Sequence, residues 1–285
     1  MTHPLLGRNY VPDTRDRGFL MERKLPEVAP IGARLWDIPF RYDQGQTPAC
    51  TGYSSSNAMS ALYWHAQRAN VQFDAAQLYK WANAHDGDPT PHEGSSVRAA
   101  FQGLVMAGDD IIVSNDEVDK PGTYEKVQNY VWADVENTDA DIDRVITWIL
   151  NVSPVVIGIT WYQDMFSQDP NTGAFVTTDG YIHPTGAVAG GHAICVRGVN
   201  ALDANNTFFV LRNSWGPWGI SVGDDWTVHK GQRRGDILLD KADMVSLLTN
   251  QGEAGALVDN LAPLTAKLLA PPSLKVSQTL TPAGV

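Results

Sequence analysis

Cysteine is nearly absent from this 285-residue chain, with Cys50 and Cys195 the only two. A scaffold stapled by disulfides is therefore excluded, and a reducing compartment is the easier home. Positive charge is also scarce. The 21 Lys and Arg face 32 Asp and Glu, for a net charge of −11, the wrong sign for gripping a phosphate backbone, so no nucleic-acid partner is expected. No apolar run approaches the roughly 18 residues of a membrane-crossing helix. Residues 1–12 lack a basic stretch followed by an apolar one, so neither a membrane partner nor a secretory signal is expected. The expected location is cytoplasmic or particle-associated. Several catalytic signatures are missing too: there is no GxSxG elbow, no phosphate-binding GxxxxGK[ST] loop, no HExxH and no GxGxxG. Asp139-x-Asp141-x-Asp143 begins like a calcium loop, but Arg144 stands where the turn needs glycine and Leu150 where a bidentate glutamate belongs. It reads as the acidic first turn of a helix. No metal and no cofactor is implied.

What is present has an order. Residues 1–39 are rich in Pro and Arg with little periodicity and read as an extended leader lying on the body. Helices are expected from Cys50 onward, near 75–84, over 95–107 with a serine cap, and over 139–150. After Pro154 the character changes. Residues 155–161, 192–199, 207–212 and 225–229 are short, β-branched or aromatic runs that read as strands. Helices first and strands second point to an α+β protein with a helical lobe and a sheet lobe, and a crevice between them is a natural site.

Three local features carry chemistry. Cys50 stands directly before a helix, where the macrodipole favours a thiolate. His192 follows a double glycine, Gly190-Gly191, that allows close backbone approach. Asn213-Ser214-Trp215-Gly216 closes a hydrophobic strand. An asparagine carbonyl can fix an imidazole's tautomer, and an indole can shield that bond from water. Cys195, three residues after His192, points to the other strand face and reads as core.

In this order, Cys50, Gly191-His192-Ala193 and Asn213-Ser214-Trp215-Gly216 resemble the papain-like cysteine peptidases, above all their disulfide-free bacterial members. The resemblance covers about residues 40–248, with softer matches at Glu93-Gly94-Ser95-Ser96, at 154–158 and at 173–175. It implies a papain-like two-lobe fold: an N-terminal helical lobe over about 40–150, a C-terminal antiparallel, β-barrel-like lobe over about 151–249, and the active site in the cleft between them. It also implies a cysteine-type endopeptidase acting on peptide or protein substrates through an acyl-enzyme. Cys50 would be the nucleophile and His192 the base that holds it as a thiolate–imidazolium pair and then the acid for the leaving amine. Asn213 would orient His192 under the cover of Trp215. Gln44 would donate to the oxyanion, and Gln46, at the wrong spacing, would be a loop residue. Gly94, Ser95 and Gly191 would bind substrate backbone. The chain departs from the pattern at Thr47, at Pro48 in place of a glycine beside the oxyanion hole, at Thr51, and at Ser95 and Gly191 themselves.

The alternative is a papain-fold structural subunit of a larger assembly, such as a phage particle, with weak or lost catalysis. The leader is too short for a folded inhibitory domain, so activity without processing is expected. Residues 250–285 form an Ala/Leu/Pro-rich tail in which Leu257, Leu261, Leu264 and Leu268 make one stripe if helical. The tail is expected to dock on the chain's own body or on a partner subunit.

Overall fold

The computed structural model describes residues 5–11, 21, 31–38, 40–67, 71–90, 92–114, 124–133, 139–166, 180–216, 218–219, 221–222, 228–229 and 235–258. In chain order its elements are β1 (Ala33–Leu35), α1 (Cys50–Gln67), β2 (Val71–Phe73), α2 (Ala75–His85), α3 (Val97–Met106), β3 (Asp109–Ser114), β4 (Tyr124–Glu125), β5 (Asn129–Trp132), α4 (Asp139–Asn151), β6 (Val155–Tyr162), β7 (Val188–Asn200), β8 (Phe208–Arg212), β9 (Ser221–Val222), β10 (Val228–His229), β11 (Asp236–Asp240), α5 (Lys241–Thr249) and β12 (Glu253–Val258).

The four expected helices form where the sequence placed them. Side-chain caps start two of them: Asp74 accepts from the Gln77 N–H ahead of α2, and Ser96 from the Ala99 N–H ahead of α3. The fifth helix, α5, was not foreseen. Asp240 caps it by accepting from the Asp243 N–H. The first helix, α1, is buried over most of its length although it carries Ser54, Ser55, Ser56 and Ser60. Small side chains let neighbouring elements come close on several sides, so a helix with a weak apolar stripe can still be central.

The main sheet runs in the order β11-β8-β7-β6-β12-β5, with β1 added against β7. All its pairings are antiparallel, and among the described residues it stays open and does not close into a barrel. β6 reads Val155-Val-Ile-Gly-Ile-Thr-Trp-Tyr162 and is buried on both faces for most of its length. A strand covered on both sides needs apolar residues at consecutive positions, not at alternate ones. A smaller sheet, β2-β3-β4, lies with α1 and α2. The fold is α+β, papain-like and two-lobed, as the resemblance implied.

The sheet reaches past the expected limits of 40 and 249 on both sides. Ala33–Leu35 pairs with Gly198–Asn200, and Trp36 is buried with its indole N–H donated to the Ile149 carbonyl at 2.8 Å. Those leader residues are core. Glu253–Val258, assigned to the tail, is an internal strand between β5 and β6. Leu257 therefore sits in a strand and not on a helical stripe. Residues 259–285, with Leu261, Leu264 and Leu268, lie outside the described residues, as do 173–175. No described helix is long and apolar enough to cross a membrane.

Candidate active site

Cys50 is the first residue of α1, and its sulfur is buried. The Sγ accepts from the Ala193 N–H at 3.4 Å and also from the backbone N–H groups of Gly7 and Thr51. His192 lies on β7, one residue before Ala193. Its Nε2 meets Asn213 Oδ1 at 3.0 Å. The same Oδ1 accepts the Ser214 N–H at 2.8 Å. An N–H can point only at an acceptor, so this second bond sets which way the Asn213 amide faces. Nε2 of His192 then carries the proton and Nδ1 holds the lone pair. Nδ1 is buried and has no hydrogen-bond partner.

Indoles enclose the imidazole. Trp215 lies 4.8 Å from it, centroid to centroid, and Trp161 lies 4.9 Å away edge-on. Trp161 escaped the sequence reading. It stands on an apolar strand, and only the β6–β7 pairing brings it beside His192.

Gln44 is buried and Gln46 is exposed. The Ser214 hydroxyl donates to Gln44 Oε1 at 2.6 Å, which turns Nε2 toward the other side. There Nε2 donates to the Thr47 carbonyl at 2.8 Å and to the Leu5 carbonyl at 3.1 Å. The bond from Ser214 to Gln44 escaped the sequence reading, because the two residues lie far apart in the chain.

The Leu5 carbonyl belongs to the chain's own leader. Residues 5–9 run extended between the two walls and bond to both. The Arg8 N–H donates to the Gly191 carbonyl at 3.0 Å, the Asn9 N–H to the Ser95 carbonyl at 2.8 Å, and the Ser95 N–H to the Gly7 carbonyl at 2.8 Å. The approach is tight. A Cβ on Gly7 would lie 1.9 Å from the Pro48 oxygen, and one on Gly191 would lie 2.2 Å from the Arg8 oxygen. Gly94 makes no such bond to the segment. Its N–H goes to the Tyr79 hydroxyl and its carbonyl takes the Asn83 amide, while a Cβ there would lie 2.5 Å from the Gly7 oxygen. Ser95 thus does the bonding and Gly94 leaves the room. The leader, expected to lie on the body, does so in the cleft: its first described residues fill it.

That cover has an electrostatic consequence. Burial pushes the Cys50 thiol up to about 11, against the pull of the Ala193, Gly7 and Thr51 N–H groups and Arg8. Burial also lowers His192 to about 4, against its bond to Asn213. Burial thus disfavours the charged forms of both thiol and imidazole, and with them the ion pair that the resemblance implies.

Other candidates for ligand binding carry less. His183, Asp240 and Asp243 hold potential ligand atoms within 4.8 Å of one another. However, Asp240 is engaged as the cap of α5, and His183 Nδ1 is bonded to Asp243 at 2.9 Å. Both cysteines are free thiols.

No family model matches the sequence, and no curated protein matches it. Solved structures do. Xylellain, a cysteine protease from Xylella fastidiosa, superposes with a TM-score of 0.60 at 18% identity over 91% of this chain and 98% of that one. Procathepsin B S9 from Trypanosoma congolense gives 0.56 at 16% identity over 90% and 83%. Procathepsin L 3 from Tenebrio molitor larval midgut gives 0.56 at 15% over 89% and 74%. The structural neighbours are papain-like cysteine proteases, and the chain shares their fold.

Proposed function

We propose that the chain is a cysteine-type endopeptidase whose cleft is covered by its own leader in the form described. One observation carries this reading. Over the sulfur of a helix-starting cysteine, the cleft holds an extended peptide by backbone bonds to Ser95 and Gly191, with a peptide carbonyl on the Gln44 amide. A groove that binds main chain beside a nucleophile and an amide donor suits acyl transfer.

The chemistry follows from the placed atoms. Once the cleft opens, the Cys50 proton passes to Nδ1 of His192, the nitrogen that Asn213 leaves free. The Sγ then attacks the substrate carbonyl carbon. The C–S bond forms, and the oxyanion is met by Gln44 Nε2. When the oxyanion collapses, the C–N bond breaks and the amine leaves with the imidazolium proton. Water, deprotonated by Nδ1, attacks the acyl carbon; as this second intermediate collapses the C–S bond breaks, the acid departs and the imidazolium proton returns to the sulfur. Trp215 and Trp161 keep water from the His192–Asn213 bond. Ser95 and Gly191 hold the substrate backbone, and Gly94 leaves room for it.

The second reading, a papain-fold structural subunit with lost catalysis, is favoured by one observation: burial holds Cys50 and His192 neutral. Peptide hydrolysis by the full chain, compared with Cys50→Ala and His192→Ala, decides between the two. The peptidase reading expects turnover that both substitutions abolish. Turnover that survives Cys50→Ala defeats it, as does a Cys50 that no peptidyl electrophile labels.

A further inference from the structure

Ser95 stands between α2 and α3, and its N–H and carbonyl both bond to the extended segment in the cleft. Its side chain is tied down from behind. The Ser95 hydroxyl donates to Asp86 Oδ2 at 3.0 Å, and the same oxygen lies 3.0 Å from His92 Nε2. The other Asp86 oxygen accepts the Asp88 N–H at 3.2 Å. Asp86 closes α2, and its side chain is nearly buried. The second nitrogen of His92, Nδ1, lies 2.7 Å from the Thr90 carbonyl oxygen. Thr90 is held in turn, its N–H and hydroxyl donating to Asp88 Oδ1 at 2.9 and 2.6 Å. A carboxylate and a carbonyl oxygen only accept, so both ring nitrogens must donate, whereas a neutral imidazole has a single N–H. The ring that fits this loop is the imidazolium. The bond to the Thr90 carbonyl, then the bond to Asp86 and the charges of Asp86 and Asp88, raise the His92 pKa above its ordinary value, against burial. Among the described residues, those two carboxylates are the charges that act on the ring. From α2 come uncharged partners: the Asn83 amide donates to the His92 and Gly94 carbonyls at 3.1 and 2.6 Å, and the Tyr79 hydroxyl accepts the Gly94 N–H at 3.1 Å. Glu93, between them, is exposed.

We infer that His92 is a positioning residue for substrate binding: as the imidazolium it clasps Asp86, Asp86 holds the Ser95 hydroxyl, and Ser95 thereby keeps its N–H and carbonyl aimed at peptide main chain in the cleft. The inference rests on the peptidase reading and adds a proton-dependent control of its grip on substrate. When the proton leaves, one ring nitrogen turns a lone pair on an acceptor, and Asp86 loses the cation beside it. The loop that carries Ser95 then loosens. A raised pKa means that the ordered loop binds the proton more tightly than the loosened one. The grip is therefore complete below the ordinary imidazole value near 6.5 and is lost as pH rises through the higher value of His92.

Two measurements on the full chain test this. In isotope-labelled protein, NMR follows the His92 ring and the Ser95 amide through a pH titration. The expected result is one shared pKa above about 6.5, which falls in Asp86→Asn. A ring that titrates at or below about 6.5, or a Ser95 amide that does not follow it, overturns the clasp whether or not the chain is a peptidase. The kinetics are read in Gly7→Ala, because a leader held by the same Ser95 would weaken in step with the substrate and cancel the change. In that background His92→Gln, neutral at every pH, should raise KM about tenfold near pH 6, the size of one charged hydrogen bond, and leave kcat within about twofold. The two KM values should converge by about pH 9, where the parent imidazole has also lost its proton. An unchanged KM near pH 6, or a loss confined to kcat, overturns the positioning role and leaves the peptidase reading standing. Absence of turnover in the Gly7→Ala chain overturns the peptidase reading, and the ring and amide titrations then decide the clasp by themselves.

Discussion

Ser214 donates its hydroxyl to Gln44 Oε1 at 2.6 Å, tying the turn ahead of α1 to the residue that follows Asn213. The bond is buried, and it determines which end of the Gln44 amide faces the cleft. If Gln44 Nε2 receives the oxyanion, Gln44→Ala lowers kcat by roughly 100- to 1000-fold with little change in KM. Ser214→Ala leaves the Thr47 contact in place and costs only about five- to tenfold. Steady-state kinetics on the two variants checks the ranking. A larger loss at Ser214 than at Gln44 would remove Gln44 from the role.

Asn213 holds His192 by a neutral acceptor. Asn213→Ala removes the partner of Nε2 and frees the ring to turn, with an expected loss of roughly 10- to 100-fold in kcat. Asn213→Asp keeps an acceptor but sets a negative charge beside an imidazole that burial holds down to about 4. A nearby negative charge favours the imidazolium, so the His192 pKa rises and the alkaline limb of the pH–rate profile moves to higher pH. An unmoved limb in Asn213→Asp means that His192 is not the group titrating there.

Gly7 tests whether the leader controls the thiol. A Cβ at this position meets the Pro48 oxygen at 1.9 Å, a clash with backbone that only movement of the segment relieves. Gly7→Ala therefore lifts the cover from Cys50 without touching a site residue. Under cover the thiol is raised to about 11, so thiolate is scarce at neutral pH. In the open cleft it returns toward the ordinary value near 8.5 or below, and the thiolate fraction at pH 7 grows by roughly 100-fold or more. Iodoacetamide should alkylate Cys50 faster by a comparable factor in the variant, with the rate rising at lower pH than in the parent chain. An unchanged rate means that the leader does not cover the thiol in solution.

The parts of the site legible in the sequence are those whose chemistry is local. Cys50 at a helix start, His192 after its glycines and Asn213 ahead of Trp215 each carry a short signature that needs no knowledge of distant partners. The first four helices were equally plain, since caps and apolar spacing lie within a few residues. The strand that carries Glu253 was not legible. Glu253 sits in Glu253-Ala-Gly-Ala-Leu-Val258, whose small residues resemble the Ala-rich text after it, and only pairing with β5 and β6 makes it a strand. Arg8, whose Nε donates to Glu253 Oε1 at 3.0 Å, stands at the opposite end of the chain, and no periodicity relates the two. Trp161 and the Ser214–Gln44 bond escaped for the same reason, because a register or a loop approach brings these residues to His192 and Gln44.

The same strands hold a buried charge cluster that sets the position of Asn213. Arg212, its neighbour, donates through Nε and Nη2 to Asp236 at 2.6 and 3.1 Å, and Arg197 on β7 donates to the same carboxylate at 3.0 and 2.9 Å. Burial pushes Asp236 up, but Arg197 and Arg212 together outweigh it and hold the carboxyl below its usual range. Asp236→Asn leaves two guanidiniums without their shared anion, and removing one member of such a buried set costs about 3–5 kcal/mol. The pH dependence has a definite sign. A depressed carboxylate contributes its full stability above the unfolded value near 3.9 and loses it as pH falls through the folded value. In urea unfolding, the gap between the parent chain and Asp236→Asn should stay constant from pH 7 to about pH 5 and narrow below about pH 4. A gap that holds its full size at pH 3 means that the Asp236 carboxyl is not the group whose charge keeps β7, β8 and β11 in register.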